Sequence, residues 1–137
     1  MPVKKITEQE LTTILSQLSS VDARDTFILA LLSKETELPK AVIKETAYHF
    51  VQKDPQEAAR LYLMADEKRE AFQIYNKLGY IVKALPIIEH EENLFSTEER
   101  YHFFESNQLY QKGLKLAREK GNKSKAELFK ILLDYTK

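Results

Sequence analysis

The chain has 137 residues and a mass of 16.0 kDa, with 43% hydrophobic and 31% charged residues. This length suits one domain, and this balance supports a hydrophobic core and excludes a disordered tail. The absence of cysteine excludes disulfide scaffolds, cysteine-ligated zinc, iron–sulfur clusters and thiol catalysis. Because 21 basic residues face 21 acidic ones, the overall charge gives no indication of a polyanionic partner.

The first helix start is a capping box. The hydroxyl of Thr7 can accept a hydrogen bond from the third helical N–H, and Glu10 can reach back to the cap. Ser19 with Asp22 predicts a second start. The helix that follows, over 21–35, is apolar nearly all round, which predicts burial between neighbours on both sides.

The third helix start is Glu37-Leu38-Pro39, with the proline in the first turn, where its missing N–H costs nothing. Thr46 interrupts the apolar stripe of this helix. We expect the other apolar side chains to face inward, and they are Val42, Ile43, Tyr48, Phe50 and Val51.

The middle of the chain begins with its strongest start signal, Asp54-Pro55-Gln56-Glu57, which combines an acidic cap, a first-turn proline and a glutamate. Ser96-Thr97-Glu98-Glu99 is a further capping box. Gly79 and Gly121 lie where helices should end, because glycine adopts the left-handed conformation cheaply. No strand pattern and no linker occur, so we predict one all-α domain of about eight short helices over 1–137.

A 13-residue internal repeat is the most informative feature of the sequence. Each copy has a charged residue, a small residue, two variable positions, an apolar residue and, in the clearest copies, tyrosine or isoleucine. Such short helices bury their apolar faces only by stacking on one another. The copies are clearest over 54–90 and weaker over 107–135, and they are Glu57–Tyr62, Glu70–Tyr75, Lys83–Ile88, Lys112–Ala117 and Lys125–Lys130.

The segments Ala58–Tyr62, Ala71–Tyr75 and Leu78-Gly79-Tyr80-Ile81-Val82-Lys83-Ala84 resemble tetratricopeptide-like and clathrin-heavy-chain-type α-solenoids. The shared features are a small residue, an aromatic near the helix end, a glycine at the turn and a Lys/Glu-Ala opening. The repeats are shorter than the tetratricopeptide repeat of about 34 residues and lack its tryptophan. The resemblance is therefore to the helical-repeat superfamily, and it implies a right-handed stack of antiparallel helices that acts as a protein-interaction scaffold.

Sequence signatures of catalysis are absent, since there is no P-loop and no Gly-x-Ser-x-Gly motif. No two of the three histidines stand three or four residues apart. Glu99 and His102 match one half of a di-iron carboxylate site, which needs two such motifs. Glu89-His90-Glu91-Glu92 is expected to be a solvated helix end. We predict no enzyme activity and no cofactor or metal, although residues distant in sequence can still form a site.

The charge is distributed unevenly along the chain. Residues 1–111 carry a net charge of −5, whereas residues 112–137 carry +5. A basic end can attract nucleic acid or an acidic partner. It can also meet the acidic part of a second copy, or form a solvated face, since phosphate-binding surfaces usually favour arginine and only Arg118 is present.

We predict a cytoplasmic, non-enzymatic protein-interaction module that binds a peptide, a partner helix or another copy. A nucleic-acid-binding protein that uses the basic helices over 112–137 is the alternative. No membrane span is expected, because the longest apolar run, Phe27 to Leu32, is far shorter than the required length of about 20 residues. No secretory leader is expected either. The candidate partner-binding residues are Tyr101, Phe104, Tyr110, Lys115, Arg118, Lys123 and Lys125.

Overall fold

The computed structural model describes residues 5–137, and these residues form nine α-helices and no β-strand. The all-α prediction is thus confirmed. The helices fall into two compact units, which meet in sequence between Leu78 and Gly79. The assignment of the whole chain to one domain stays a prediction.

The N-terminal unit contains five helices, and its predicted caps are confirmed with one shift. The Thr7 hydroxyl accepts from the Glu10 N–H at 3.0 Å, while the Glu10 carboxylate accepts from the Thr7 N–H at 3.1 Å. The second helix is capped by Ser20 rather than Ser19, since the Ala23 N–H donates to the Ser20 hydroxyl at 3.0 Å. Asp54 caps the fourth helix. The helices are α1 Glu8–Gln17, α2 Val21–Ser33, α3 Lys40–Phe50, α4 Pro55–Met64 and α5 Lys68–Leu78.

Helices α2 and α3 correct two expectations about burial. Ile28 is the only apolar side chain of α2 that is fully buried, so burial on both sides of this helix is wrong. In α3 Tyr48 is 71% exposed, whereas Thr46 is buried. The Thr46 hydroxyl can be buried because it donates to the Val42 carbonyl oxygen at 3.1 Å. Pro39 occupies the N-cap position of α3, just before the first turn, and makes no side-chain cap hydrogen bond, so its predicted place within the first turn is wrong.

The repeat register coincides with burial. The small residues Ala58, Ala71 and Ala84 are all 0% exposed. The residues four positions later in the same copies, Tyr62, Tyr75 and Ile88, are buried as well. Helix α4 packs on both α3 and α5. The small residue of each of these three copies therefore lies at a position where packing leaves no room for a larger side chain, whereas Ala126 in the last copy is half-buried.

The C-terminal unit contains α6 Ile81–His90, α7 Thr97–Ser106, α8 Tyr110–Glu119 and α9 Lys123–Tyr135. The Ser96 capping box at α7 is confirmed. Helix α8 packs on α7 and α9. At the small position of α8, a Cβ added to Gly113 would lie 2.4 Å from the ring of Phe129 in α9. Glycine is therefore required by the close approach of these two helices.

The turns repeat with the same period as the helices. Gly79 and Gly121 have positive φ, as predicted for helix ends, and so do Asp66 and Gln108. Asp66 precedes Gly79 by 13 residues, and Gln108 precedes Gly121 by the same number. These two pairs of turns thus share the spacing of the repeat, whereas Glu92, the matching position after Ala84, does not have positive φ, and Glu35 has positive φ outside the repeat.

The turn at Gln108 identifies a copy of the repeat that the sequence pattern missed. In the other copies with a left-handed turn, the small residue stands eight positions before it, and here that position is Arg100. The two apolar positions of this copy, Phe103 and Phe104, are buried as the register requires. The copy escaped recognition because its small residue is replaced by a long cationic one.

Candidate partner-binding cleft

An open cleft of about 260 Å³ lies between α6, α7 and α8 of the C-terminal unit. Its apolar lining comes from Ile88, Phe104 and Leu116, one from each helix. Leu116 occupies the same position in its repeat copy as Phe129 does in the next copy. Phe129 is the side chain that packs on Gly113. The ionic residues of the lining balance in charge, and they are Glu89, Glu92, Arg100, Lys112, Lys115 and Glu119.

Arg100 is the unusual member of this lining. Its side chain is only 9% exposed, and its Nε and Nη2 atoms are buried without a hydrogen-bond partner in the described part of the chain. Its Nη1 atom lies 4.0 Å from Oε1 of Glu92, which is 78% exposed. Burying charged donors without acceptors costs about 1–3 kcal/mol or more. The small position of this repeat copy therefore holds a desolvated and incompletely paired cation.

The other cations of the cleft differ in their pairing. Lys112 donates to Oε2 of Glu89 at 2.9 Å, so that pair is neutral as a whole. Lys115 is exposed, and within residues 5–137 no carboxylate pairs with it. The cleft thus holds one cation, Lys115, with no ion pair among the described residues, and a second, Arg100, that has only the 4.0 Å contact with Glu92.

Helices α8 and α9 carry the basic end of the chain, and the structure divides its eight cations. Lys112 pairs with Glu89, Lys125 pairs with Glu105 at 2.6 Å and Lys137 approaches Asp134 at 3.8 Å. The hydrogen bond to Glu105 raises the pKa of Lys125. The remaining five form a set that we call the unpaired basic face. None of them has an acidic partner among the described residues, and they are Lys115, Arg118, Lys120, Lys123 and Lys130.

The aromatic candidates for a recognition surface are mostly buried. Tyr101 is 1% exposed and Phe104 is 5% exposed, so neither ring forms an exposed recognition surface, and this part of the prediction is corrected. Tyr101 packs on Phe129, with the ring centroids 6.0 Å apart, and burial raises the pKa of its hydroxyl. Tyr110 is half-buried beside the same ring, with its centroid 6.5 Å from that of Phe129.

The basic candidate residues are more exposed than the aromatic ones. Lys115, Arg118 and Lys123 are exposed, whereas Lys125 is half-buried in its ion pair with Glu105. Only Lys115 and Phe104 among the predicted residues line the cleft. Their role in binding a partner stays a prediction.

The acidic cluster at the end of α6 is only partly solvated. Glu89 is half-buried in its pair with Lys112, while His90 and Glu92 are exposed. In α7, the Glu99 carboxylate accepts from the Ser96 N–H at 3.1 Å, as a helix cap does. No group of three or more potential metal ligands occurs among residues 5–137.

The N-terminal unit contains a buried polar pair that the sequence analysis missed. Nδ1 of His49 lies 2.9 Å from Oδ1 of Asp25, whose side chain is 5% exposed. The pair borders a cavity of about 140 Å³. A carboxylate can orient an imidazole for proton transfer. However, the one hydroxyl among the described lining residues, that of Thr46, already donates to the Val42 carbonyl oxygen. The one sequence signal for this pair was the position of Asp25, three residues before Ile28 and therefore on the buried face of α2.

Comparison with known proteins finds no family model, no curated protein and no solved structure that matches this chain. Across the described helices, none has the length and apolar character needed to cross a membrane.

Proposed function

We propose that this chain is a cytoplasmic helical-repeat protein of the α-solenoid type, in which short helices stack in antiparallel, right-handed order. It acts as a non-enzymatic interaction module or assembly scaffold. The coincidence of the 13-residue register with buried small residues supports the repeat assignment.

The observation that carries the function is the unpaired basic face, of which Lys115 also lines the open cleft. Its five cations lack acidic partners in the part of the chain that has been described. A surface of this kind favours acidic protein segments, because complementary charge speeds encounter and selects partners. We propose that the partner is a protein with an acidic segment, which docks on α8 and α9.

The test compares two charge-reversal variants in affinity purification from the source organism, with nuclease treatment and mass spectrometry. The first variant changes residues of the unpaired basic face: Lys115→Glu, Arg118→Glu and Lys123→Glu. The matched control also replaces one exposed arginine and two exposed lysines, but in the N-terminal unit: Arg24→Glu, Lys34→Glu and Lys77→Glu.

We expect a protein that co-purifies with the wild type and the control but not with the first variant. If both variants retain the same proteins, the basic face does not bind the partner and the proposal fails. Nucleic acid binding is the second candidate, favoured by the same five cations. In that case nuclease treatment removes what the wild type captures.

A further inference from the structure

We propose that the cleft between α6, α7 and α8 binds a carboxylate side chain of the acidic partner through the guanidinium of Arg100. This inference rests on the proposed function, since it names the chemical group that the interaction module recognises. It is carried by Arg100, whose two buried donors have no acceptor in residues 5–137.

The position of Arg100 in the repeat indicates that its burial serves a purpose other than packing. The equivalent residues Ala58, Ala71, Ala84 and Gly113 are small and buried, which is what close helix packing needs. Arginine at this position adds a long side chain and a charge to the same environment. Polar groups buried without partners are costly, and natural proteins retain them mainly at functional sites.

The geometry of the guanidinium suits a carboxylate. Nη2 shares one edge of the planar group with Nε and the other edge with Nη1. A carboxylate that meets either edge accepts two parallel hydrogen bonds, and Nη2 is one of the donors in both cases. Nε and Nη2 are buried in the free protein, so binding includes a rotation of the Arg100 side chain toward the mouth of the cleft.

Glu92 marks the direction of this rotation. Its carboxylate lies 4.0 Å from Nη1 and is 78% exposed, so it attracts the guanidinium without satisfying its donors. A partner carboxylate replaces this loose contact with direct hydrogen bonds. Lys115, which is exposed in the cleft lining and unpaired within the described residues, adds a second cation to the site.

The charges that line the cleft favour a ligand group with a single negative charge over one with two. Three carboxylates face three cations in the lining, and Glu92 and Glu119 oppose any anion that enters. A carboxylate carries one negative charge, whereas a phosphate group carries about two at neutral pH. The cleft therefore fits an aspartate or glutamate side chain better than a phosphorylated one.

The experiment measures fluorescence anisotropy of a labelled hexaglutamate peptide with the full chain. We expect Arg100→Gln to weaken binding about tenfold or more, because a desolvated ion pair is lost. Arg100→Lys should weaken it similarly, because an ammonium group cannot present two parallel donors. The matched control Arg118→Gln removes the same charge from an exposed position and should weaken binding less than about fivefold.

A second pair of variants tests whether the removal of a negative charge strengthens peptide binding. Glu92→Gln removes the competing carboxylate and should tighten peptide binding by more than Glu127→Gln, which removes an exposed charge outside the cleft. Circular dichroism checks that each variant is folded. The Nε–H resonance of Arg100, one of five in the chain and identified by its loss in Arg100→Lys, should shift when peptide is added.

Three results would overturn the proposal: no binding of hexaglutamate by the wild type, equal losses in Arg100→Gln and Arg118→Gln, or tighter binding of a phosphoserine peptide than of hexaglutamate. Equal losses would leave the interaction module in place, because binding would still depend on charge. Failure of the proposed function gives a different result. In that case the charge-reversal variant of the unpaired basic face captures the same proteins as the wild type.

Discussion

Replacement of Gly113 by alanine tests the close packing on which the repeat register depends. In an isolated helix this change stabilises by about 1 kcal/mol. Here the new Cβ would lie 2.4 Å from two ring atoms of Phe129, far inside the usual carbon–carbon separation of about 3.5–4.0 Å. Phe129 is 0% exposed and its ring packs beside Tyr101 and Tyr110, so it has no free space to enter.

Overpacking of this severity costs about 3 kcal/mol, and after the helix gain we expect a net loss of about 2 kcal/mol. In urea unfolding this corresponds to a midpoint lower by about 1 M. Phe129→Leu serves as the partner variant, because removing the ring edge should reduce the cost of Gly113→Ala in a double-mutant cycle. An unchanged or higher midpoint for Gly113→Ala alone would refute the close approach of α8 and α9.

Three further predictions concern the core of each unit. Ala71→Leu should lower the free energy of unfolding by about 1–3 kcal/mol, whereas Ala41→Leu at an exposed position of α3 should change it by less than about 0.5 kcal/mol; equal urea midpoints would show that the repeat register is wrong. His49→Ala should cost about 3 kcal/mol and more than Asp25→Ala, because it leaves a buried carboxylate unpaired; thermal unfolding of the two variants compares them, and the reverse order would contradict this account of the pair. Burial raises the pKa of Tyr101, so the stability that this tyrosine contributes is complete at neutral pH and is lost as the pH rises above about 10; the stability of Tyr101→Phe relative to the wild type, measured in urea, should therefore rise in that range, and a pH-independent difference would count against it.

Most of the helix boundaries that the sequence predicted depend on local signals. The Thr7, Asp54 and Ser96 caps each act within three residues, so their chemistry is readable from the sequence alone. The one shifted cap, Ser20 in place of Ser19, involves two adjacent residues of the same type. The register of the repeat was readable for a similar reason, because the small and apolar positions recur at a fixed spacing.

The buried polar side chains were harder to predict, because their environment depends on residues far away in sequence. Arg100 breaks the pattern of its copy, and only the left-handed turn at Gln108 restores the register. Asp25 and His49 stand 24 residues apart on different helices. Tyr101 was expected at a surface, yet Phe129 in the last helix lies against it. Tertiary packing thus decides which of these groups are buried and which remain available.

The most direct test of a protein partner rather than a nucleic acid is an anisotropy titration with labelled single-stranded and duplex oligonucleotides at about 0.15 M salt. The unpaired basic face consists of four lysines and one arginine, so we expect only non-specific binding, no tighter than a dissociation constant of about 10⁻⁴–10⁻⁶ M. The contradicting result is sub-micromolar binding that weakens steeply with added salt and is lost when Lys115, Arg118, Lys120 and Lys123 are changed to glutamate.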